Sequence, residues 1–197
     1  SIHFPVTRAI LTGVETVQTE NIDDIYYNNT STEESRTMGL RNFHNLFVKK
    51  RIIGKVARRG DTLIDYAVGK GGDISKWKSA KLKFVFGVDL SKDNIYNQMD
   101  GVCARYLKER RETRGLFDAL FLPADSRLNL KNGDAFYTEK EREIGAAILS
   151  KTAGPKPNLG KAVDKNFGAG VNGFNVSSCQ FALHYFFENH SILHNFL

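Results

Sequence analysis

The stretch that most constrains this chain is Thr62-Leu63-Ile64-Asp65-Tyr66-Ala67-Val68-Gly69-Lys70-Gly71-Gly72-Asp73. Its first half is a short apolar run that predicts a strand. Its second half is a glycine cluster, and a helical turn is predicted from Asp73 toward Trp77. Gly69, Gly71 and Gly72 remove three side chains where the backbone turns, so a ligand can lie directly against the main chain. A second predicted strand, residues 83–89, ends in Asp89, 20 residues after Gly69. An acid at that spacing can accept hydrogen bonds from both hydroxyls of a ribose.

Several ligands suit such a turn. A P-loop is excluded, because no Gly-Lys-Ser/Thr closes it. A dinucleotide fingerprint requires a third glycine where Ile74 stands. A glycine turn with no ligand stays open on the glycines alone, and Asp89 shifts the balance toward a nucleoside site. S-adenosyl-L-methionine fits best, having a ribose but no phosphates.

The 197 residues suffice for one good core, or a core with an appendage. A hydrophobic content of 41% with 25% charged residues is that of a globular chain, not a disordered one. The net charge of +6 favours a polyanionic partner such as RNA. No apolar run is long enough to span a membrane, and no basic-then-apolar signal pattern opens the sequence, so an intracellular location is expected. Cys103 and Cys179 show no metal-ligand spacing and are expected to be buried thiols.

Along the chain, residues 6–17 suit a strand or short helix and residues 21–34 a surface loop. Residues 38–56 predict a helix whose apolar face is formed by Phe43, Leu46, Phe47, Ile53 and Val56, with Gly54 weakening or ending it. Ser91 is placed to cap a helix carrying Ile95, Met99, Val102, Cys103 and Tyr106 on one side. A third strand, residues 119–122, leads to Asp125, again an acid just past a strand. Thr138 and Glu141 make a capping box for a helix reaching Lys151, and Gly154-Pro155-Lys156-Pro157 breaks it. A fourth strand is predicted over residues 174–179, apolar on both faces. Strands alternating with helices imply a mainly parallel sheet, an α/β fold.

Taken in order, Leu40-Arg41-Asn42-Phe43-His44-Asn45 with Lys49, Asp65 to Asp73 with Lys76-Trp77, Gly87-Val88-Asp89, Arg105-Tyr106, Ala124-Asp125-Ser126 and Ser178-Cys179-Gln180-Phe181-Ala182-Leu183-His184-Tyr185 resemble the mRNA cap guanine-N7 methyltransferases. The His44-Asn45 pair and the Phe186-Phe187-Glu188-Asn189 ending are similar to versions carried by large DNA viruses. The resemblance implies a Rossmann-like class I methyltransferase fold and S-adenosyl-L-methionine as cofactor. Capped RNA is the implied partner, and a cytoplasmic or nuclear location, or host cytoplasm or virion for a viral protein. It divides the chain into an N-terminal extension, 1–37, and a methyltransferase domain, 38–197, with an insertion at about 131–173. The family continues with further strands, so the resemblance implies a truncated domain, completed by a C-terminal part or by other capping-enzyme domains or subunits.

Carried across by motif, Lys49 is expected to pair with the cofactor carboxylate, and Ala67 and Gly69 to line its methionine part. Asp89 is expected to hold the ribose, Asp125 to accept from the adenine amino group, and Gln180 and Tyr185 to complete the wall. His44, Asn45, Lys70, Lys76, Arg105 and His184 match positions on the cap side. Ala67 stands where the family usually has glycine, and His44 where cellular members commonly have asparagine. No proton-transfer residue and no metal are expected. Two alternatives remain: a non-catalytic RNA-binding or stimulatory subunit of the same fold, and a methyltransferase with another substrate.

Overall fold

The computed structural model describes residues 37–150 and 159–196. The expectations for residues 6–34 and for the Gly154-Pro155-Lys156-Pro157 breaker lie outside the described residues. Residues 40–197 form one compact unit.

Four parallel strands build a sheet in the order β3-β2-β1-β4: β1 Thr62–Asp65, β2 Phe84–Asp89, β3 Asp118–Pro123 and β4 Val176–Ser178. Leu63 sits opposite both Val85 and Val176, so β1 is paired on each side. β2 is buried at every position, as a central parallel strand covered on both faces must be. The fold is the Rossmann-like α/β class.

Alternation along the strands feeds two cores. On one face Leu63, Val85, Ala119 and Phe121 pack with Trp77, Val102 and Tyr106 from helices α2 (Ile74–Ala80) and α4 (Val102–Glu112). On the other, Ile64, Phe84, Phe86 and Val88 pack with Phe136, Ile148 and Leu149. The last two come from α5, Glu139–Leu149, whose N-terminus carries the expected capping box of Thr138 and Glu141. The segment read as an insertion therefore supplies one layer of the core. Helix α6, Lys161–Lys165, follows. A short 3-10 turn, Leu183–Phe187, and α7, His190–Phe196, end the described chain.

Three expectations are corrected. Residues 38–56 do form one continuous helix, α1, and Gly54 does not end it. However, of the expected apolar face only Ile53 is buried; Phe43, Leu46, Phe47 and Val56 are exposed. The row turned inward is instead His44, Asn45, Val48 and Lys49, which are half-buried and lead to Ile53, with the Lys49–Asp73 pair tying that side of the helix to the turn; Phe43–Lys49 is π-helical. The helix capped by Ser91 is two helices, α3 (Lys92–Tyr96) and α4. Asn97 Oδ1 accepts from the N–H groups of Met99 and Asp100, which turns the chain, and Met99 is left exposed. The fourth strand is shorter than expected and Ser177 on it is exposed; among the described residues it forms one edge of the sheet.

Two glycines test the packing with opposite signs. An added Cβ at Gly54 meets no atom within 4 Å, so Gly54→Ala should raise stability by about 0.5–1 kcal/mol. At Gly145 in α5 the same carbon runs into the Phe136 ring, so Gly145→Ala should cost about 1–3 kcal/mol. Urea unfolding of both variants checks this, and a Gly145→Ala protein as stable as the parent would mean that α5 does not press on Phe136.

Candidate functional site

Because all four strands run the same way, Asp65, Asp89, Asp125 and Ser178 come to one end of the sheet. The strand order reverses between β1 and β4, the place where open α/β sheets leave a crevice. The turn after β1 is anchored by two contacts to β2. Val68 N–H donates to the Val88 carbonyl at 2.9 Å, and Gly69 N–H donates to Asp89 Oδ2 at 2.7 Å. Gly69 has φ +54° and Gly71 φ +76°, conformations that favour glycine. Gly71 is also needed for space, since an added Cβ would lie 2.7 Å from Val102 Cγ2. Over Gly69 and Gly72 nothing lies within 4 Å of such a carbon, so open space faces the turn.

Asp89 is buried, and its Oδ1 accepts from Ser91 N–H and from the Asn94 amide, both at 3.0 Å. Of roughly four lone-pair sites three are occupied, which leaves one on Oδ2. Asp125 is held by Arg127, whose Nε and Nη2 lie 3.0 and 2.9 Å from its two oxygens and whose Nη1 reaches Glu188 at 2.7 Å. Ser126 Oγ donates to the Tyr66 carbonyl at 2.7 Å, tying the ends of β3 and β1 together. Tyr137 feels the charges of both Asp89 and Asp125, although burial is the main cause that raises its phenol above the usual range.

A cation pair brackets Asp73 at the far end of the turn. Lys49 Nζ from α1 lies 3.2 Å from Oδ2 and Lys76 Nζ 2.8 Å from Oδ1, while Lys76 also donates to the Gly72 carbonyl at 2.7 Å. Lys76 is thus buried, its ammonium turned into the loop. Lys49 Nζ also stands 5.5 Å over the Phe181 ring, which stacks on His44 at 4.6 Å. Phe181 has φ +59°, uncommon for a residue with a side chain. Lys70 is paired with Asp100 at 2.9 Å and Asp93 at 3.4 Å, and the Asp100 hydrogen bond leads the causes that raise its pKa.

The remaining expected residues are more loosely placed. Ala67, Asn45 and Gln180 are half-buried around the turn, α1 and β4 segments. His184 and Tyr185 are exposed with ring centroids 4.0 Å apart. Arg105 is exposed on α4 and makes no hydrogen bond or ion pair with the other candidates among the described residues. Cys103 and Cys179 are half-buried rather than buried, and burial pushes the Cys179 thiol up to about 11. Among the described residues no cluster of His, Cys, Asp or Glu could hold a metal ion, and no helix is long and apolar enough to cross a membrane.

Sequence reasoning missed four contributors. Asp65 ends β1 just as Asp89 ends β2, a signal that was available. Arg127 lies two residues from Asp125, which is the spacing for a local clamp. Tyr137 carries no signal, because only tertiary folding brings it to the rim, and Phe181 stands within the Ser178–Tyr185 motif but was given no role of its own.

Asp65 is the most perturbed group. It is fully buried, accepts from Ser178 Oγ at 3.0 Å and Ala67 N–H at 3.1 Å, and its pKa is pushed up to about 7, chiefly by loss of water. The folded protein therefore holds a proton that the unfolded chain gives up near 3.8. Stability from this group is complete below that value and is lost as pH rises toward 7, with a slope of up to about 1.4 kcal/mol per pH unit. In Asp65→Asn that slope should vanish, so the variant gains on the parent between pH 4 and pH 7 in urea unfolding. Parallel pH profiles would show Asp65 to be ionised throughout.

The mRNA (guanine-N(7))-methyltransferase domain matches residues 16–152 of the chain. The probable mRNA-capping enzyme of Acanthamoeba polyphaga mimivirus is 26% identical over 171 residues, 87% of this chain and 13% of its own length. The mRNA cap guanine-N(7) methyltransferase of Cryptococcus neoformans var. neoformans serotype D is 36% identical over 94 residues, 47% of this chain and 14% of its own. That of Saccharomyces cerevisiae is 27% identical over 189 residues, 95% of this chain and 34% of its own. The chain thus spans at most about a third of the length of these relatives. With the parallel sheet, the glycine turn and the acids at its rim already in place, the match over residues 16–152 means that the chain belongs to the mRNA (guanine-N7)-methyltransferase family.

Proposed function

We propose that the chain binds S-adenosylmethionine at the β1 turn and directs its methyl group to N7 of the guanine in an mRNA 5′ cap. The observation that carries this reading is the Gly69–Asp89 contact beneath open space at Gly69 and Gly72. The donor set fits the cofactor. Asp89 keeps one acceptor site for a ribose hydroxyl, and a second hydroxyl requires it to release Ser91 or Asn94. Ala67 and Gly69 line the methionine part, and Lys49 is a cation able to exchange Asp73 for a ligand carboxylate. Asp125, oriented by Arg127, is an acceptor suited to an amino group on adenine, and Gln180 and Tyr185 complete the cofactor wall in this reading.

When bound, the cofactor supplies an electrophilic sulfonium methyl. Guanine N7 has a free lone pair at neutral pH, so the protein has no proton to remove. Its residues hold the reacting atoms in line and favour a dispersing positive charge. His44, Asn45 and His184, with Tyr185 as a stacking surface, are the cap-side groups. Lys70 and Arg105 are cations for the triphosphate, and Lys76 shapes the turn beneath them. For Lys70, a phosphate has to displace Asp93 and Asp100, an exchange among exposed charges that costs little.

Calorimetric titration with S-adenosylhomocysteine tests the cofactor half. The parent should bind, and Asp89→Asn, which keeps the shape and loses the charge, should bind roughly 10- to 100-fold more weakly. Equal affinities in a folded variant would remove Asp89 from the site, and a parent that does not bind would favour a scaffold that keeps the fold without the cofactor. Transfer of labelled methyl to a guanosine-capped oligoribonucleotide tests the other half. Label found anywhere but guanine N7 would replace the substrate.

A further inference from the structure

Along the outer side of α1, the Phe43 and Phe47 rings stack with centroids 5.5 Å apart and planes 17° from parallel. The Arg51 guanidinium lies 5.9 Å over the Phe47 ring. These three residues, spaced four apart, make a ladder of π-faces and one cation. It is solvent-exposed: Phe43 and Phe47 each keep more than half of their surface, 53% and 54%. The ladder does not float free of the site. Phe43 lies 6.0 Å from His44, and His44 stacks at 4.6 Å on Phe181, which follows β4. Aromatic rings therefore run without a gap from the rim of the sheet out along α1.

The charge around the ladder has a single sign. Residues 41–59 carry seven Lys or Arg and no acid. Lys49 is spent on Asp73, whereas Lys50, Arg51 and Lys55 are exposed and make no ion pair among the described residues. An apolar face meant for another protein is ordinarily depleted of lysine at its centre. Exposed rings interleaved with unpaired cations suit a single-stranded polyanion whose bases stack and whose phosphates need neutralising.

We infer that the Phe43–Phe47–Arg51 ladder is a track for the single-stranded RNA that follows the cap, with Lys50 and Lys55 as its phosphate contacts. This rests on the reading of capped RNA as substrate and extends it from the cap to the nucleotides beyond. Base stacking on the rings tolerates any sequence, so the track grips RNA without selecting it.

Fluorescence anisotropy with a capped and an uncapped oligoribonucleotide of about 10 nucleotides tests this, alongside titration of a guanosine-triphosphate-guanosine cap dinucleotide. In Phe43→Ala/Phe47→Ala both RNAs should bind about tenfold more weakly. In Lys50→Ala/Lys55→Ala the slope of log affinity against log salt should fall by about 1.4, since each lost phosphate contact is worth about 0.7 on a single strand. The cap dinucleotide should bind all variants as it binds the parent, and thermal melts should confirm that they fold. RNA affinity and salt slope unchanged in both variants would overturn the track while leaving the cap reading intact. Unchanged RNA binding together with lost self-association in sedimentation would overturn it in favour of a protein contact. A parent that ignores the cap dinucleotide, yet loses RNA affinity in the variants, would support the track and sink the cap reading instead.

Discussion

Asp89 accepts the Gly69 N–H at 2.7 Å, and the geometry of the whole rim depends on that contact. A carboxylate this deeply buried costs several kcal/mol unless its lone pairs are met. Here the donors come from three places: the β1 turn, the backbone just past β2, and Asn94 in α3. One side chain thus fixes the turn to its neighbouring strand and sets the start of the next helix. The turn can reach Asp89 only because Gly69 adopts φ +54°, which other residues avoid at a cost of roughly 1–2 kcal/mol. Anchor and glycine are two halves of one requirement.

Asp73 does the same for α1. The helix buries little of its own apolar surface, chiefly Ile53, and is joined to the turn by the Lys49–Asp73 pair. Asp73 is shared with Lys76, and both partners of that second pair are buried. Removing one member of such a group strands the others without water, which is costlier than losing a surface ion pair. The position of α1, and with it His44 against Phe181, is therefore held as much by charge as by packing.

This division explains what could be read from the chain. The strands, the turn and the capping box of α5 are written locally, in apolar runs, glycines and a Thr-x-x-Glu spacing, and they stand within a residue or two of where those signals put them. The face of α1 was misread because apolar spacing was the signal used, whereas the row turned inward is His44, Asn45, Val48 and Lys49, held by the Lys49–Asp73 pair. The split between α3 and α4 was hidden because Val102 and Tyr106 continue an apolar stripe across a break made by the Asn97 side chain. At the site, Asp89 and Asp125 were visible as acids after strands. Their partners Asn94 and Arg127 were not singled out, although both are close in sequence. Tyr137 arrives from a distant segment that no spacing rule reaches, and Phe181, although inside the motif after β4, meets His44 only through tertiary folding.

The charges at the rim divide by depth, and that division shapes what the site can attract. The deep acids are compensated: Asp65 by a proton, Asp73 by two ammonium groups, Asp89 by backbone and amide donors, Asp125 by Arg127. None of them projects a strong negative field outward. The cations that do the compensating are likewise quenched, whereas Lys50, Arg51 and Lys55 on α1 are exposed and make no ion pair among the described residues. These three α1 cations therefore add positive field outside the group of compensated acids. Such a field raises the rate at which a polyanion arrives and weakens as salt shortens the Debye length, while the compensated crevice is left to read shape and hydrogen bonds. Attraction and recognition are carried by different residues, which is why charge along α1 can change without disturbing the acids that hold the turn.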